Sequence, residues 1–130
     1  MKINNVEIED IDMLDADVAE KYENEIFKVN DLNKKIAAEV KEGKIKQSEY
    51  IRKLCTAINK FLDSLWGEGT AYKVFNGKCN FITSVKAFVD VNCWANNKDT
   101  YENQFSEINE VIKKYSLNRI QNNDKNLERL

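Results

Sequence analysis

The sequence predicts an all-α protein, a small bundle of four to five helices with an N-terminal β-hairpin. Three observations favour this class. The 130 residues include no proline, the residue that breaks helices most strongly. Apolar residues return every three or four positions through most of the chain, which is the period of one helix face. The four glycines fall between these periodic segments, where helices end.

The first twelve residues predict a hairpin or an arm. Apolar and polar residues alternate from Lys2 to Ile8 around the pair Asn4-Asn5. Asparagine tolerates the positive φ angles of tight turns, so we expect a two-stranded hairpin. An isolated hairpin is marginally stable, and this one must therefore lean on the helices or on another subunit. A disordered arm is the alternative.

Two long amphipathic helices follow. The first is predicted over residues 17–41, with the acidic segment Asp15-Ala-Asp17 at its start and Gly43 at its end. The second is predicted over residues 48–66. The short turn between them predicts an antiparallel helical hairpin. The apolar positions that define the two stripes are Val18, Tyr22, Ile26, Val29, Leu32, Ile36 and Val40, then Tyr50, Ile51, Leu54, Cys55, Ile58, Phe61, Leu62 and Leu65.

The segment Gly67-Glu-Gly69 predicts an elbow between the second helix and a short third helix. Gly67 is expected to close the second helix in a left-handed conformation. Thr70 is expected to cap the third helix and Gly77 to end it. The apolar residues of this short helix are Ala71, Val74 and Phe75.

A fourth helix is predicted after Asn80, which can cap it. Its buried side is expected to carry Phe81, Ile82, Val85, Phe88, Val89 and Cys93. Residues 96–99 predict an interruption, because neighbouring asparagines and an aspartate favour turns and caps. A last helix then begins at Asp99 or Thr100, with apolar residues Tyr101, Phe105, Ile108, Val111, Ile112 and Tyr115. We therefore expect one helical domain over residues 1–115 and a flexible polar tail over residues 116–130.

The charge pattern argues against nucleic acids and membranes as partners. The net charge is −2, with acidic and basic residues intermixed and without the basic stripe that phosphate binding needs. No apolar run approaches the roughly 20 residues of a membrane span. The first ten residues are too acidic and too poor in apolar residues for a signal peptide, which predicts a cytoplasmic protein.

The residues typical of catalytic and metal sites are missing from the sequence. It contains no histidine, so it lacks the commonest general base and a usual zinc ligand. Cys55, Cys79 and Cys93 form no C-x-x-C pair and are predicted to be reduced thiols buried in the core. The dipeptide Gly77-Lys78 lacks the earlier glycine and the following Ser or Thr of a phosphate-binding loop. The acidic run in residues 7–17 lacks the glycine and the distal glutamate of a calcium loop. We predict no enzyme activity, no catalytic or cofactor-binding residue, no metal ligand and no cofactor; catalysis by carboxylates alone is the open alternative.

Aromatic residues near the elbow are the candidates for partner binding. Trp66, Phe75 and Trp94 fit positions in a core equally well. Aromatic side chains beside a glycine-rich elbow could also form an exposed anchor for a helix of a partner protein. The predicted partner-binding residues are Trp66, Tyr72, Phe75 and Trp94.

Three segments carry a resemblance to a known family. The chain starts Met1-Lys-Ile-Asn-Asn-Val-Glu-Ile8, ahead of an Asp-rich segment and the helix opening Val18-Ala-Glu-Lys-Tyr22. Its centre reads Phe61-Leu-Asp-Ser-Leu-Trp-Gly-Glu-Gly-Thr70, followed by Val74-Phe75 and Gly77. Near the end it reads Lys114-Tyr115-Ser-Leu-Asn-Arg119. This order resembles small tail-assembly proteins of phages and prophages of Gram-positive bacteria, whose centre reads Phe-Phe-Asp-x-x-Phe-Gly-Glu-Gly-Thr and whose end reads Lys-Tyr-Ser-Pro-Asn-Arg. The chain departs from that pattern at Leu62, Trp66 and Leu117.

The resemblance implies a non-enzymatic accessory of virion assembly, because none of its motifs is catalytic. The partner it implies is the tape-measure protein or another tail subunit, which the chain would chaperone during assembly. A homo-oligomer is compatible with this role. The alternative is a phage-encoded protein that binds a host defence protein as inhibitor or trigger, since such proteins are also small and acidic.

Overall fold

The computed structural model describes residues 1–97. In this part of the chain a two-stranded hairpin precedes four α-helices, which confirms the predicted class of a small helical bundle with an N-terminal hairpin. The elements in chain order are β1 (Lys2–Ile3), β2 (Val6–Glu7), α1 (Ala16–Lys41), α2 (Gln47–Trp66), α3 (Thr70–Phe75) and α4 (Phe81–Asn96). The predicted last helix and the predicted tail lie outside the described residues.

The N-terminal segment forms the predicted hairpin rather than a disordered arm. Its strands are antiparallel, with Ile3 opposite Val6. Asn4 and Asn5 occupy the turn with φ angles of 52° and 62°, the left-handed region that asparagine tolerates. The Asn4 side-chain amide donates to the carbonyl oxygen of Val74 at 3.0 Å, and Ile3 is fully buried. The hairpin is therefore held by the helical core, as its small size requires.

The first two helices match their predicted ranges to within one residue. Asp15 caps α1, where its carboxylate accepts the backbone N–H groups of Asp17 and Val18. The residues of α1 that reach deepest into the core are Tyr22, Val29 and Ile36, spaced by seven. This spacing indicates a helix that faces its neighbour along one narrow stripe, the arrangement of an antiparallel helix pair.

The centre of the core lies under α2. Phe61 and Leu62 have no exposed surface, and Ile58 is 1% exposed. The ring of Phe61 meets that of Tyr22 from α1 at 6.3 Å and that of Phe88 from α4 at 5.0 Å between centroids. One side chain of α2 thus joins three helices.

The face of α4 that is buried differs from the predicted one. The buried positions are Ser84, Ala87, Val91 and Ala95. Val85 and Phe88 are half-buried, while Phe81, Ile82, Val89 and Cys93 are exposed. The reason is that apolar residues surround this helix, so the apolar pattern alone does not decide which side is buried, and the side with the smaller residues packs on the core. Asn80 caps α4 as predicted, because its side-chain oxygen accepts the N–H of Thr83 at 3.0 Å.

The cysteine prediction is right at one position and wrong at two. Cys55 is buried, whereas Cys79 and Cys93 are exposed. Cys79 lies in the turn before α4, and Cys93 lies on the outward face of that helix. All three thiols are free.

Candidate partner-binding surface

The central motif builds the elbow between α2 and α3. Asp63, on α2, accepts the backbone N–H of Ala71 through its carboxylate at 2.8 Å. The residue that precedes α3, Gly69, has no side chain with which to cap it. Asp63 therefore supplies the missing cap from the preceding helix, a role that the sequence analysis did not identify.

Two glycines and a threonine shape the elbow itself. Gly67 has φ 110° and ψ 156°, an extended conformation of positive φ rather than the left-handed helical cap that was predicted. Gly69 has φ 94° and takes the N-cap position of α3. Thr70 is the first residue of α3 instead of its cap, and its hydroxyl donates to the carbonyl oxygen of Gly67 at 2.7 Å. Both glycines are needed because side chains disfavour these φ angles.

The four predicted partner-binding residues lie in different environments. Tyr72 is 69% exposed, whereas Phe75 is 5% exposed and belongs to the core. Trp66 and Trp94 are half-buried and pack against the core. The indole N–H of Trp66 also donates to the backbone oxygen of Glu9 at 2.6 Å, which ties it to the segment after the hairpin. Phe75 is therefore not an exposed anchor, because its ring packs in the core. The binding role of the other three stays a prediction.

A small polar cavity lies beside the elbow. It has a volume of about 380 Å³, and Tyr72, Asn59 and Cys79 contribute to its wall. The side-chain oxygen of Asn59 is buried and has no hydrogen-bond partner among residues 1–97, so it can accept a bond from a small polar molecule such as water. Cys55 also lines this cavity, and burial raises the pKa of its thiol. A thiol that stays protonated is a poor nucleophile, so the cavity does not present an activated cysteine.

A groove larger than this cavity lies on the outside of the α1–α2 pair. Its volume is about 720 Å³. Val29, Leu32 and Ala57 form an apolar floor. Along α2 it extends from Arg52 to Ser64, a distance of about 18 Å at the rise of an α-helix. This length accommodates about three turns of a helix from another protein.

The rim of this groove is basic although the chain as a whole is acidic. The cationic lining residues are Lys28, Arg52, Lys53 and Lys60, and the acidic one is Glu25. Lys28 pairs with Glu25 at 3.2 Å, so among the described lining residues no carboxylate remains for the three cations of α2. The lining of the groove is therefore net positive in a chain of net charge −2. We refer to it as the basic groove.

A second apolar surface lies on the outward side of α4. Ile82 is 63% exposed and Val89 is 48% exposed, while Val85 between them is half-buried. Near the start of the helix, a groove of about 520 Å³ is lined by Tyr50, Phe81 and Ile82 among others. Lys86, which is also exposed, lies between Ile82 and Val89 on this side of the helix.

Sequence reasoning missed the basic groove, although part of its signal is in the sequence. Arg52, Thr56 and Lys60 are spaced by four on α2, and Lys53 is next to Arg52. A mixed-charge exterior is the usual property of a soluble helix, so these residues alone do not predict a groove. It is a groove because α1 and α2 each contribute one wall, which only the packing reveals.

Comparison with known proteins places the chain in a family. Residues 4–126 match a family described as a family of unknown function (DUF6673). The chain belongs to this family. No curated protein and no solved structure matches the chain.

The described residues offer no metal site and no membrane span. Within residues 1–97, the Cys, Asp and Glu side chains form no group of three or more that could hold a metal ion. In the same range, each helix is too short or too polar to cross a bilayer.

Proposed function

We propose that this protein is a non-enzymatic binding protein whose basic groove takes an amphipathic helix of a protein partner. The observation that carries the proposal is the combination of an apolar floor with three cations of α2 that have no carboxylate beside them in the groove. A helix with an apolar stripe and acidic flanks matches both properties. Its apolar side chains would cover Val29, Leu32 and Ala57, and its carboxylates would meet Arg52, Lys53 and Lys60.

We further propose that the partner is the tape-measure protein or a tail subunit of a phage. This step rests on the resemblance in the central and N-terminal motifs. A tape-measure protein is a long, apolar helical chain that must stay soluble in the host cytoplasm until tube subunits assemble around it. Several copies of a small helical protein could cover it through weak contacts, because many sites on one chain raise avidity while each contact remains exchangeable.

Coexpression with a tape-measure fragment encoded next to this gene tests the proposal. We expect the fragment to become more soluble and to copurify with the chain. The double substitution Lys53→Glu/Lys60→Glu should abolish both effects, because it reverses the charge of the rim. The matched control is Lys34→Glu/Lys46→Glu, which changes the net charge equally at two exposed lysines outside the groove.

The outcomes separate the two parts of the proposal. If the fragment becomes no more soluble and does not copurify with the chain, the proposed tape-measure partner is wrong. If the groove variant and the control lose binding equally, the partner does not bind through the basic groove. Capture of a host defence protein instead of a tail protein would favour the alternative function.

A further inference from the structure

Two of the three cysteines lie together at the polar cavity beside the elbow. Cys55 comes from α2 and Cys79 from the turn before α4, and both line this cavity. The Cys79 sulfur lies 4.0 Å from the backbone oxygen of Ile51. Ile51 and Cys55 are one helical turn apart on the same face of α2, and helical side chains lean towards the N-terminus. The Cys55 side chain therefore leans towards the turn of α2 that the Cys79 thiol contacts.

The surroundings of the Cys55 sulfur also include the Cys79 thiol. Burial is the main reason that the pKa of Cys55 is raised, and the hydrogen bond and the charge of the Cys79 thiol raise this pKa further. Both interactions require the two sulfur atoms to lie close together. From the side of α4, the Ser84 hydroxyl donates to the Cys55 sulfur at 3.3 Å. Cys55 is thus held between α4 and a second thiol.

The third cysteine points away from this pair. Cys93 is nine positions after Ser84, which is about two and a half turns of α4, so the two residues lie on opposite sides of the helix. Because Ser84 faces Cys55, Cys93 faces away from it. The members of the pair also differ in their access to solvent, since Cys79 is exposed and Cys55 is buried. A reagent in solution therefore meets Cys79 first.

We propose that Cys55 and Cys79 form a redox modification site, at which hydrogen peroxide converts the two thiols into a reversible disulfide. The sulfur of the exposed Cys79 attacks one peroxide oxygen, the O–O bond breaks, and water leaves as Cys79 becomes a sulfenic acid. The Cys55 sulfur then attacks the Cys79 sulfur. The S–S bond forms, the S–O bond breaks, and the hydroxyl leaves with the Cys55 proton as a second water. Two thiols are oxidised by two electrons, and one hydrogen peroxide is reduced to two waters.

The disulfide would fasten the turn before α4 to the middle of α2. Cys79 also lines the groove of about 520 Å³ at the start of α4, next to Phe81 and Ile82. Oxidation therefore fixes part of the wall of this groove, and a thiol reductant releases it. The reaction needs no partner protein, so its test does not depend on the proposed function.

Oxidation of the dilute full chain with hydrogen peroxide tests the site. Lysines separate the three cysteines, so trypsin places each of them in its own peptide. In native protein we expect a loss of two hydrogen atoms by mass spectrometry and a bond between the peptides of Cys55 and Cys79. Dithiothreitol should restore both thiols. A native sample without this bond overturns the proposal.

The same oxidation in concentrated urea is the control for the role of the fold. Closure of a short loop costs an unfolded chain less entropy than closure of a long one. Cys79 and Cys93 are closer in sequence than Cys55 and Cys79, so the unfolded chain should favour the bond between Cys79 and Cys93. If the native and unfolded samples give the same distribution of bonds, the fold does not direct the reaction and the proposal is wrong.

Substitution of each exposed cysteine separates the pair from the third thiol. In Cys79→Ser, peroxide should leave Cys55 as a free thiol. Cys93→Ser is the matched control, because it removes another exposed thiol and should form the disulfide as the wild type does. Circular dichroism checks that both variants keep their helix content. A bond between Cys55 and Cys93 in the first variant, or loss of the disulfide in the second, overturns the assigned pair.

Trapping of the sulfenic acid tests the order of the two steps. Dimedone, which reacts with sulfenic acids, should label Cys79 rather than Cys55 when it is added to the wild type together with peroxide. Labelling of Cys55 instead would show that the buried thiol reacts first and that the proposed order is wrong.

Discussion

Cys55 differs from the other two cysteines because the fold removes it from water. It is 3% exposed, and the Ser84 hydroxyl donates to its sulfur at 3.3 Å. Burial raises the pKa of this thiol, and the hydrogen bond from Ser84 opposes that rise in part. We predict that iodoacetamide modifies Cys79 and Cys93 in the native, dilute protein and modifies Cys55 only after unfolding. Mass spectrometry of the alkylated peptides measures this, and rapid native labelling of Cys55 would contradict its burial.

The same pKa shift predicts how stability depends on pH. The thiol has an ordinary pKa of 9.0, and its folded pKa is higher. Above pH 9 the unfolded chain loses this proton first, so ionisation favours the unfolded state. The contribution of Cys55 is therefore fully present below pH 9 and is lost as the pH rises through the folded pKa. Urea unfolding at pH 7 and at about pH 10 should show a smaller alkaline loss of stability in Cys55→Ala than in the wild type.

Trp66 connects the elbow to the segment after the hairpin by one hydrogen bond. Its indole N–H donates to Glu9, and phenylalanine keeps an aromatic ring while it removes this donor. We expect Trp66→Phe to cost about 1 kcal/mol of stability, because the Glu9 carbonyl is exposed and can bond to water instead. Hydrogen exchange should rise in residues 1–10 and stay unchanged in the centre of α2. Unchanged exchange in the hairpin would show that this bond does not hold it.

At the scale of elements, α3 depends on a side chain that belongs to α2. The hydrogen bond from the Ala71 N–H to Asp63 is the side-chain cap of this six-residue helix. Asp63→Ala should therefore lower the free energy of unfolding by about 1 kcal/mol, the usual cost of a lost cap. Asp63→Asn is the matched control, because its side-chain oxygen can still accept the bond. Urea denaturation measures both, and an equal loss in the two variants would indicate that charge rather than capping matters.

The elements show which features a sequence can predict and which it cannot. The hairpin turn was predictable because Asn4-Asn5 is a local signal, and α1 because Asp15 and Gly43 mark its ends. The inward face of α4 was not predictable, since its apolar residues surround the helix. The choice between its faces depends on contacts with other helices, such as that of Phe88 with Phe61.

At the scale of the molecule, the candidate binding surface was less predictable than the fold. Reasoning from aromatic residues selected Phe75, which the structure buries, and Tyr72, which it exposes. The basic groove depends on residues from two helices, whose juxtaposition no single segment encodes. The three cations of the rim that lack a carboxylate are all on α2, but the apolar floor beside them needs Val29 and Leu32 of α1.

The positive charge of the basic groove predicts that binding of an acidic amphipathic helix depends on salt. The three cations of α2 are exposed, so dissolved ions screen them. For a labelled peptide with an apolar stripe and glutamate flanks, we expect the dissociation constant to rise about tenfold between low and high salt. Lys53→Glu/Lys60→Glu should bind weakly with little salt dependence, whereas Lys34→Glu/Lys46→Glu should keep the wild-type slope. Fluorescence anisotropy measures the three constants. The same peptide with lysine flanks should bind weakly to the wild type, and equal affinity for both peptides would show that the rim does not select its partner by charge.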